Sequence, residues 1–154
     1  MTSLNLNKFG ILLFAIFSLG LFSCNKTTDE IVADVTPTMS AKVGGVAWTT
    51  KIAAGVNSTL FVITGTKDKE AIILSIPTKD VGVYAIDGIN NNASYLPILD
   101  SLSSAYVAYS GSIEIKDLNF SRTQFNGTFE FTAINSSLDT IHVTEGVMKN
   151  IPTK

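Results

Sequence analysis

Side chains suited to covalent catalysis are scarce in this chain of 154 residues. His142 is the only histidine and Cys24 the only cysteine. A serine–histidine–carboxylate triad would have to use His142, and no serine stands in a nucleophile elbow of the G-x-S-x-G type. Strand alternation places His142 on the solvent side together with Thr140 and Thr144. We therefore predict no catalytic residue and, with this histidine and cysteine content, no metal site.

Paired carboxylates are the other chemistry to consider, since two of them can supply the acid and the nucleophile of glycoside hydrolysis. The candidates are spread over turns and predicted outer faces of strands: Asp87, Asp100, Glu114, Asp117, Glu130, Asp139 and Glu145. Solvated surface charge is the ordinary state of such residues. An enzyme is not expected, and a small extracytoplasmic hydrolase is kept only as a distant alternative.

Residues 87–92 combine Asp87 with three asparagines and offer oxygen atoms that Ca²⁺ could use. They lack the alternating acidic residues and the bidentate glutamate of an EF-hand loop. Asparagine and glycine also favour tight turns for conformational reasons. A turn without a bound ion is the preferred interpretation, and no cofactor is predicted.

Residues 86–104 form the longest stretch without clear periodicity and are the best candidate for a binding region. Tyr95 lies within it, and Tyr106 and Tyr109 follow just beyond. Loops on a rigid β scaffold often carry binding residues. We expect a glycan or protein partner to contact these tyrosines. The alternative is that the stretch contains another strand and that the tyrosines are core or edge residues.

Cys24 lies where a leader-like segment ends. Lys8 is the only charged residue before it, and an apolar run of about thirteen residues follows at residues 9–21. This length suits the core of a signal peptide and is shorter than the roughly twenty residues of a spanning helix. The composition turns polar directly after Cys24. The pattern predicts a secretory signal that ends at this cysteine.

The sequence Leu21-Phe22-Ser23-Cys24 resembles the lipobox of bacterial lipoproteins, although Phe22 departs from the strict pattern. The resemblance implies cleavage before Cys24, thioether lipidation of its sulfur, and acylation of the new amino terminus by chains such as palmitate. Two or three chains give stable membrane anchoring. A secreted soluble protein is the alternative.

Lipidation would divide the chain into a removed signal peptide at residues 1–23, a lipidated cysteine and tether at residues 24–38, and a β domain at residues 39–154. The expected location is the outer membrane of the cell envelope. Lys26 followed by Asp29-Glu30 loosely resembles the signal that sends some lipoproteins to the cell surface. The intervening threonines leave both a periplasmic and a surface-exposed domain open.

Charge composition limits the partners. Without the leader the chain carries ten basic and thirteen acidic side chains, and Arg122 is its only arginine. Nucleic-acid binding requires a basic surface, so nucleic acid is not an expected partner. The expected contacts are the membrane, through the anchor, and a glycan or protein. The oligomeric state is open.

Two hairpins are predicted at the start of the domain. Residues 39–43 and 46–51 flank Gly44-Gly45, which pairs Val43 with Val46 and places Trp48 opposite Ala41 in the core. Residues 58–66 and 70–76 flank a three-residue turn, which pairs Thr66 with Glu70. This second register puts Leu60, Val62 and Thr64 on the same face as Ile72, Leu74 and Ile76.

Alternation continues to the C-terminus. Ile113 and Ile115 point one way while Glu114 and Lys116 point the other, and Phe125, Phe129, Phe131 and Ala133 form a second inward set. About eight to ten antiparallel strands in this length predict an all-β fold. We favour a β-sandwich, with a closed calycin-like β-barrel as the alternative.

Four short elements of the domain, in order, resemble a family of small Bacteroidota lipoproteins with a single β domain of uncharacterised function. They are Ala41-Lys-Val-Gly-Gly-Val-Ala-Trp48, Ser110-Gly-Ser-Ile-Glu-Ile115, Asn126-Gly-Thr-Phe-Glu-Phe131 and residues 144–152. The resemblance implies location and fold and brings no catalytic residues. A lipid-anchored binding module is the expected function, and a purely structural envelope lipoprotein is the alternative.

Bacteroidota proteins also carry O-glycans at Asp followed by Ser or Thr and then an aliphatic residue. Asp100-Ser101-Leu102 and Asp139-Thr140-Ile141 match this short pattern. Ser101 and Thr140 are therefore candidate glycosylation sites.

Overall fold

The computed structural model describes residues 36–57, 60–119 and 123–153. The predicted signal peptide, Cys24 and most of the predicted tether lie outside these residues. The strands are β1 (Thr38–Val43), β2 (Val46–Thr50), β3 (Ile52–Asn57), β4 (Phe61–Lys67), β5 (Glu70–Ile76), β6 (Gly82–Ala85), β7 (Asn92–Leu96), β8 (Tyr106–Asn119), β9 (Gln124–Ile134) and β10 (Thr140–Pro152). Leu102–Ser104 form a single 3₁₀ turn.

All neighbouring strands are antiparallel, in the order β2-β1-β10-β9-β8-β7-β5-β4-β3, with β6 also paired to β8. The prediction of an antiparallel all-β fold is confirmed. Within the described ranges, no helix has the length and apolar character needed to cross a membrane.

The sheet nearly closes into a barrel because one stretch of chain changes partners. β2 pairs with β1, and after a bend at Lys51 the chain continues as β3, which pairs with β4. The Thr50 hydroxyl donates a hydrogen bond to the Thr66 carbonyl across this corner. The ten strands therefore occupy eight positions around the core, since β6 and β7 also share one edge of β8.

The inside of the barrel is filled by side chains. The largest fully buried ones are Phe125, Met39, Ile63, Ile72, Leu74, Ile76, Ile113, Ile115, Met148, Ile151 and Val143. The inward sets predicted for β8 and β9 are buried, while Lys116 and Glu130 are exposed. Alternation thus identified the core face of both strands correctly.

The first predicted hairpin is confirmed. Val43 pairs with Val46 and Ala41 with Trp48, and Trp48 is buried with 2% of its surface exposed. Gly44 and Gly45 turn the chain at φ angles of 57° and 84°. Glycine adopts these angles without the steric cost that a Cβ would bring.

The predicted register of the second hairpin is wrong by one residue. Lys67 pairs with Glu70 and Thr66 with Ala71, so the turn contains only Asp68 and Lys69. Asp68 adopts a φ of 53°, a conformation that aspartate tolerates better than most residues. The shift exchanges the two faces of β4: Phe61 and Ile63 are buried, and Leu60 and Val62 turn outward. In β5, Ile72, Leu74 and Ile76 are buried as predicted.

The barrel has two different ends. We define the loop end by the turns at residues 44–45 and 68–69 and the connections at residues 97–105 and 135–139. Two hydrogen bonds link these segments, from the Leu99 amide to the Lys69 carbonyl at 2.6 Å and from Ser136 Oγ to the Ser103 carbonyl at 3.3 Å. We call the opposite end, where β1 begins and β10 finishes, the terminal end.

Candidate functional site

A cavity of about 250 Å³ opens at the loop end. Strands from opposite sides of the barrel supply its walls. The lining residues are Val43, Val46, Ala47, Trp48, Lys67, Glu70, Tyr95 and Ile141. The first hairpin provides half of them and the second hairpin provides both charged residues. Closure of the barrel therefore brings the two hairpins together to form this site.

Trp48 lines the cavity and carries an unpaired hydrogen-bond donor. Its indole Nε1 is buried and has no hydrogen-bond partner among the described residues. Most buried polar groups in proteins are paired, and leaving one unpaired costs about 1–3 kcal/mol. This nitrogen has almost no accessible surface, so the unpaired N–H is a cost of packing Trp48 in the core.

Glu70 and Tyr95 form the polar side of the cavity. Burial, then the negative charge of Glu70 and the hydrogen bond between the two side chains, raise the pKa of Tyr95 to about 12. Tyr95 is therefore protonated at neutral pH, and its hydroxyl donates a hydrogen bond to Glu70. A carboxylate has room for further donors, so Glu70 can still accept a bond from a ligand.

The tyrosines predicted to bind a partner occupy three different environments. Tyr95 lies in β7 and is 6% exposed. Tyr106 packs against the core, with its ring centroid 6.2 Å from that of Tyr95. Tyr109 is 58% exposed on the outer side of β8. The structure brings Tyr95 and Tyr106 together and places only Tyr95 at the cavity.

The turn at residues 87–92 is organised by its own hydrogen bonds. Oδ1 of Asp87 accepts the amide N–H groups of Ile89, Asn90 and Asn91 at 2.8, 2.8 and 3.0 Å. These bonds lower the pKa of the Asp87 carboxyl group to about 2, and the bond from Asn91 has the largest effect. These hydrogen bonds within the turn explain why an aspartate lies at position 87. Among the described residues, no group of three or more histidines, cysteines or acids could hold a metal ion.

Five exposed apolar side chains lie on or next to the turns and connections of the loop end, and we call them the apolar rim. They are Val46, Ile98, Leu99, Leu102 and Leu138. Leu102 and Leu138 are the most exposed, at 82% and 77%. The candidate glycosylation sites lie on the same segments: Ser101 precedes the 3₁₀ turn, and Thr140 is exposed at the start of β10.

Of the remaining candidates, Asp100 and Asp139 lie in connections of the loop end, and the others lie on the outer face of β8, β9 and β10. His142 is exposed, and its Nδ1 is 3.1 Å from Thr132 Oγ1. Glu114, Glu130 and Glu145 line a surface hollow of about 410 Å³. Glu145 pairs with Lys42 at 2.7 Å, and Glu114 accepts a hydrogen bond from Thr128 at 2.9 Å. These partners are typical of a solvated sheet face.

Fold and site together define a small, barrel-like antiparallel β domain with an open cavity at one end. The chain belongs to the family described as "Domain of unknown function (DUF6252)", which matches residues 35–152. No curated protein matches the chain, and no solved structure does. The family confirms the expected β domain of uncharacterised function. The lipoprotein character and the Bacteroidota origin that the resemblance implied are proposals.

Proposed function

We propose that this protein is a lipoprotein of the outer membrane that is anchored through Cys24 and presents its β domain as a binding module. The lipobox-like sequence Leu21-Phe22-Ser23-Cys24 supports the anchor, and the direction of β1 supports presentation of the loop end. This strand begins at Thr38 beside Lys149 and ends at Val43 beside Val143, next to the turn of the loop end. Any segment that precedes the domain therefore joins it at the terminal end.

This direction separates the anchor from the binding surface. The six residues of β1 span about 17–20 Å at the rise of an extended strand. The part of the predicted tether that precedes β1, residues 24–37, adds up to about 50 Å if it is extended. Such a chain would hold the domain by its terminal end and leave the loop end accessible to partners.

The distribution of apolar surface supports a binding role for the loop end. The five residues of the apolar rim are exposed on segments of that end, and Val46 also lines the cavity. A concentration of exposed apolar surface marks interaction sites more often than scattered single residues do. At the terminal end, the exposed large apolar residues within the described ranges are Leu60 and Val81.

The anchor is tested by a Cys24→Ala variant in a host that processes lipoproteins. The native chain should incorporate a labelled fatty acid and sediment with membranes, and the variant should do neither. Fluorescence of Trp48, the only tryptophan, should be the same in both proteins because the domain does not depend on Cys24. Lipid labelling that persists in the variant would refute the anchor.

A further inference from the structure

Four residues of the apolar rim lie on two connections that contact each other. They are Ile98, Leu99, Leu102 and Leu138, and we call them the aliphatic patch. A hydrogen bond of 3.3 Å from Ser136 Oγ to the Ser103 carbonyl joins the two connections. Leu102 directly precedes Ser103, and Leu138 lies two residues after Ser136. The two most exposed leucines of the loop end are therefore held on neighbouring segments.

Acidic side chains accompany the aliphatic patch. Asp100 directly follows Leu99 in the chain. Asp139 directly follows Leu138, and both carboxylates are exposed. Within the part of the chain that the structure describes, neither carboxylate is in an ion pair. Over the turns and connections that define the loop end, acids outnumber bases by three to one: Asp68, Asp100 and Asp139 against Lys69.

We propose that the aliphatic patch docks a partner protein through a surface that combines apolar side chains with lysine or arginine. This inference rests on the proposed function of the domain as a binding module. Apolar side chains of the partner cover the patch, and its cations pair with Asp100 and Asp139. The same carboxylates disfavour a second copy docked through its own patch and a surface of anionic lipid, because like charges would face each other.

Defined peptides test this chemistry without an identified partner. We would titrate the full lipidated chain, in phosphatidylcholine nanodiscs, with three amphipathic peptides. The first has leucine on one face and lysine on the other, the second replaces lysine with glutamate, and the third replaces leucine with serine. Empty nanodiscs correct for binding to lipid. The leucine–lysine peptide should bind saturably, and each of the others at least about tenfold more weakly because it lacks one of the two contacts.

Two leucines test the apolar contact. Leu102→Ala combined with Leu138→Ala should weaken binding of the leucine–lysine peptide by about tenfold or more, because most of the apolar contact area is lost. Both side chains are largely exposed, so the fold should persist. Val81→Ala combined with Val83→Ala is the matched control. These valines are 59% and 68% exposed outside the loop end, and affinity should not change.

Two aspartates test the charge. Asp100→Asn combined with Asp139→Asn should weaken binding by about threefold or more at low salt, because two exposed charge pairs are lost. Affinity of the native chain should fall as NaCl rises from about 0.05 to 0.5 M, and that of the variant should fall less. Glu114→Gln combined with Glu130→Gln changes the net charge equally on the outer face of the sheet. This control should stay within about twofold of the native affinity.

Four results would overturn the inference. The first three are no saturable binding of the leucine–lysine peptide, equal affinity for the leucine–glutamate peptide, and full affinity in the double leucine variant. The fourth is protection of the Leu102 and Leu138 amides from a water-soluble paramagnetic chelate before peptide is added, since lipid or a second copy would then cover the patch. Lipid labelling of Cys24 is measured independently, so these failures leave the test of the anchor intact.

Discussion

The two hairpins that form the cavity differ in how their sequences define register. In the β1–β2 hairpin, Gly44 and Gly45 take positive φ angles, and only one apolar face is available on the flanking strands. In the β4–β5 hairpin, Asp68 takes the positive φ, and both faces of the strands carry apolar residues. A diglycine turn can be located from sequence, whereas an aspartate turn between two apolar faces cannot.

This difference matters for the site because the second hairpin supplies its charged groups. With the predicted register, Glu70 would pair with Thr66. In the structure, Glu70 pairs with Lys67, and both line the cavity beside Tyr95. The residues that give the cavity its polarity therefore depend on the register that the sequence could not define.

The largest effect that tests this register is expected from Ile63. It is fully buried, whereas the predicted register would have placed Val62 on the core face. Ile63→Ala should destabilise the domain by about 3–4 kcal/mol through lost burial and the cavity it leaves. Val62→Ala should cost less than about 1 kcal/mol. Urea unfolding followed by Trp48 fluorescence measures both, and equal costs would contradict the observed register.

A second test addresses the contact between the hairpins. Gly65 lies on the buried face of β4, where a Cβ would be 2.7 Å from Met39 Sδ and 3.0 Å from Trp48 Cη2. Gly65→Val should therefore destabilise the domain by about 2–3 kcal/mol through overpacking. Thr64→Val, on the opposite face of the same strand, is the matched control and should change stability by less than about 1 kcal/mol. A stable Gly65→Val variant would show that Trp48 does not pack here.

Much of the fold follows from alternation, because a strand with one polar face must turn the other face inward. This is why the core faces of β8 and β9, with Ile113 and Phe129 among them, could be predicted. The closure of the sheet could not be predicted, because nothing in the sequence around Lys51 shows that one extended stretch pairs with two different strands. The bend between β2 and β3 depends on contacts with strands that are distant in sequence.

The site was less predictable than the fold for the same reason. Trp48 and Tyr95 could be singled out by residue type, but Glu70 and Ile141 have no local pattern that marks them. Their strands meet only because the barrel closes. The tyrosine pattern that drew attention to residues 86–109 reflects in part the core contact between Tyr95 and Tyr106.

The Glu70–Tyr95 pair predicts a dependence of stability on alkaline pH. Tyr95 has a folded pKa of about 12, above the value near 10 of an unfolded tyrosine. The phenol therefore loses its proton at lower pH in the unfolded chain than in the folded domain. The contribution of Tyr95 to stability is constant below about pH 10 and falls as the pH rises from about 10 to 12. We expect a loss of about 2 kcal/mol.

Two variants isolate this effect in urea unfolding at pH 9 and pH 11.5. Tyr95→Phe should lose the part of the pH dependence that comes from this phenol. Glu70→Gln should reduce it because the charge that opposes ionisation is gone. Tyr109→Phe, at an exposed tyrosine, is the control and should behave like the native chain. A pH dependence unchanged in Tyr95→Phe would contradict the assignment.

The smallest effects compare the two turns directly. Gly45→Ala places a Cβ at a φ of 84° and should cost about 1 kcal/mol. Asp68→Gly should change stability by less than about 0.5 kcal/mol, because relief of the left-handed conformation is offset by a more flexible unfolded chain. Thr49→Ala, exposed on β2, controls for loss of surface contacts. If Asp68→Gly were clearly stabilising, the aspartate turn would be strained, and its register would be maintained by core packing of Ile63 and Leu74 rather than by the turn.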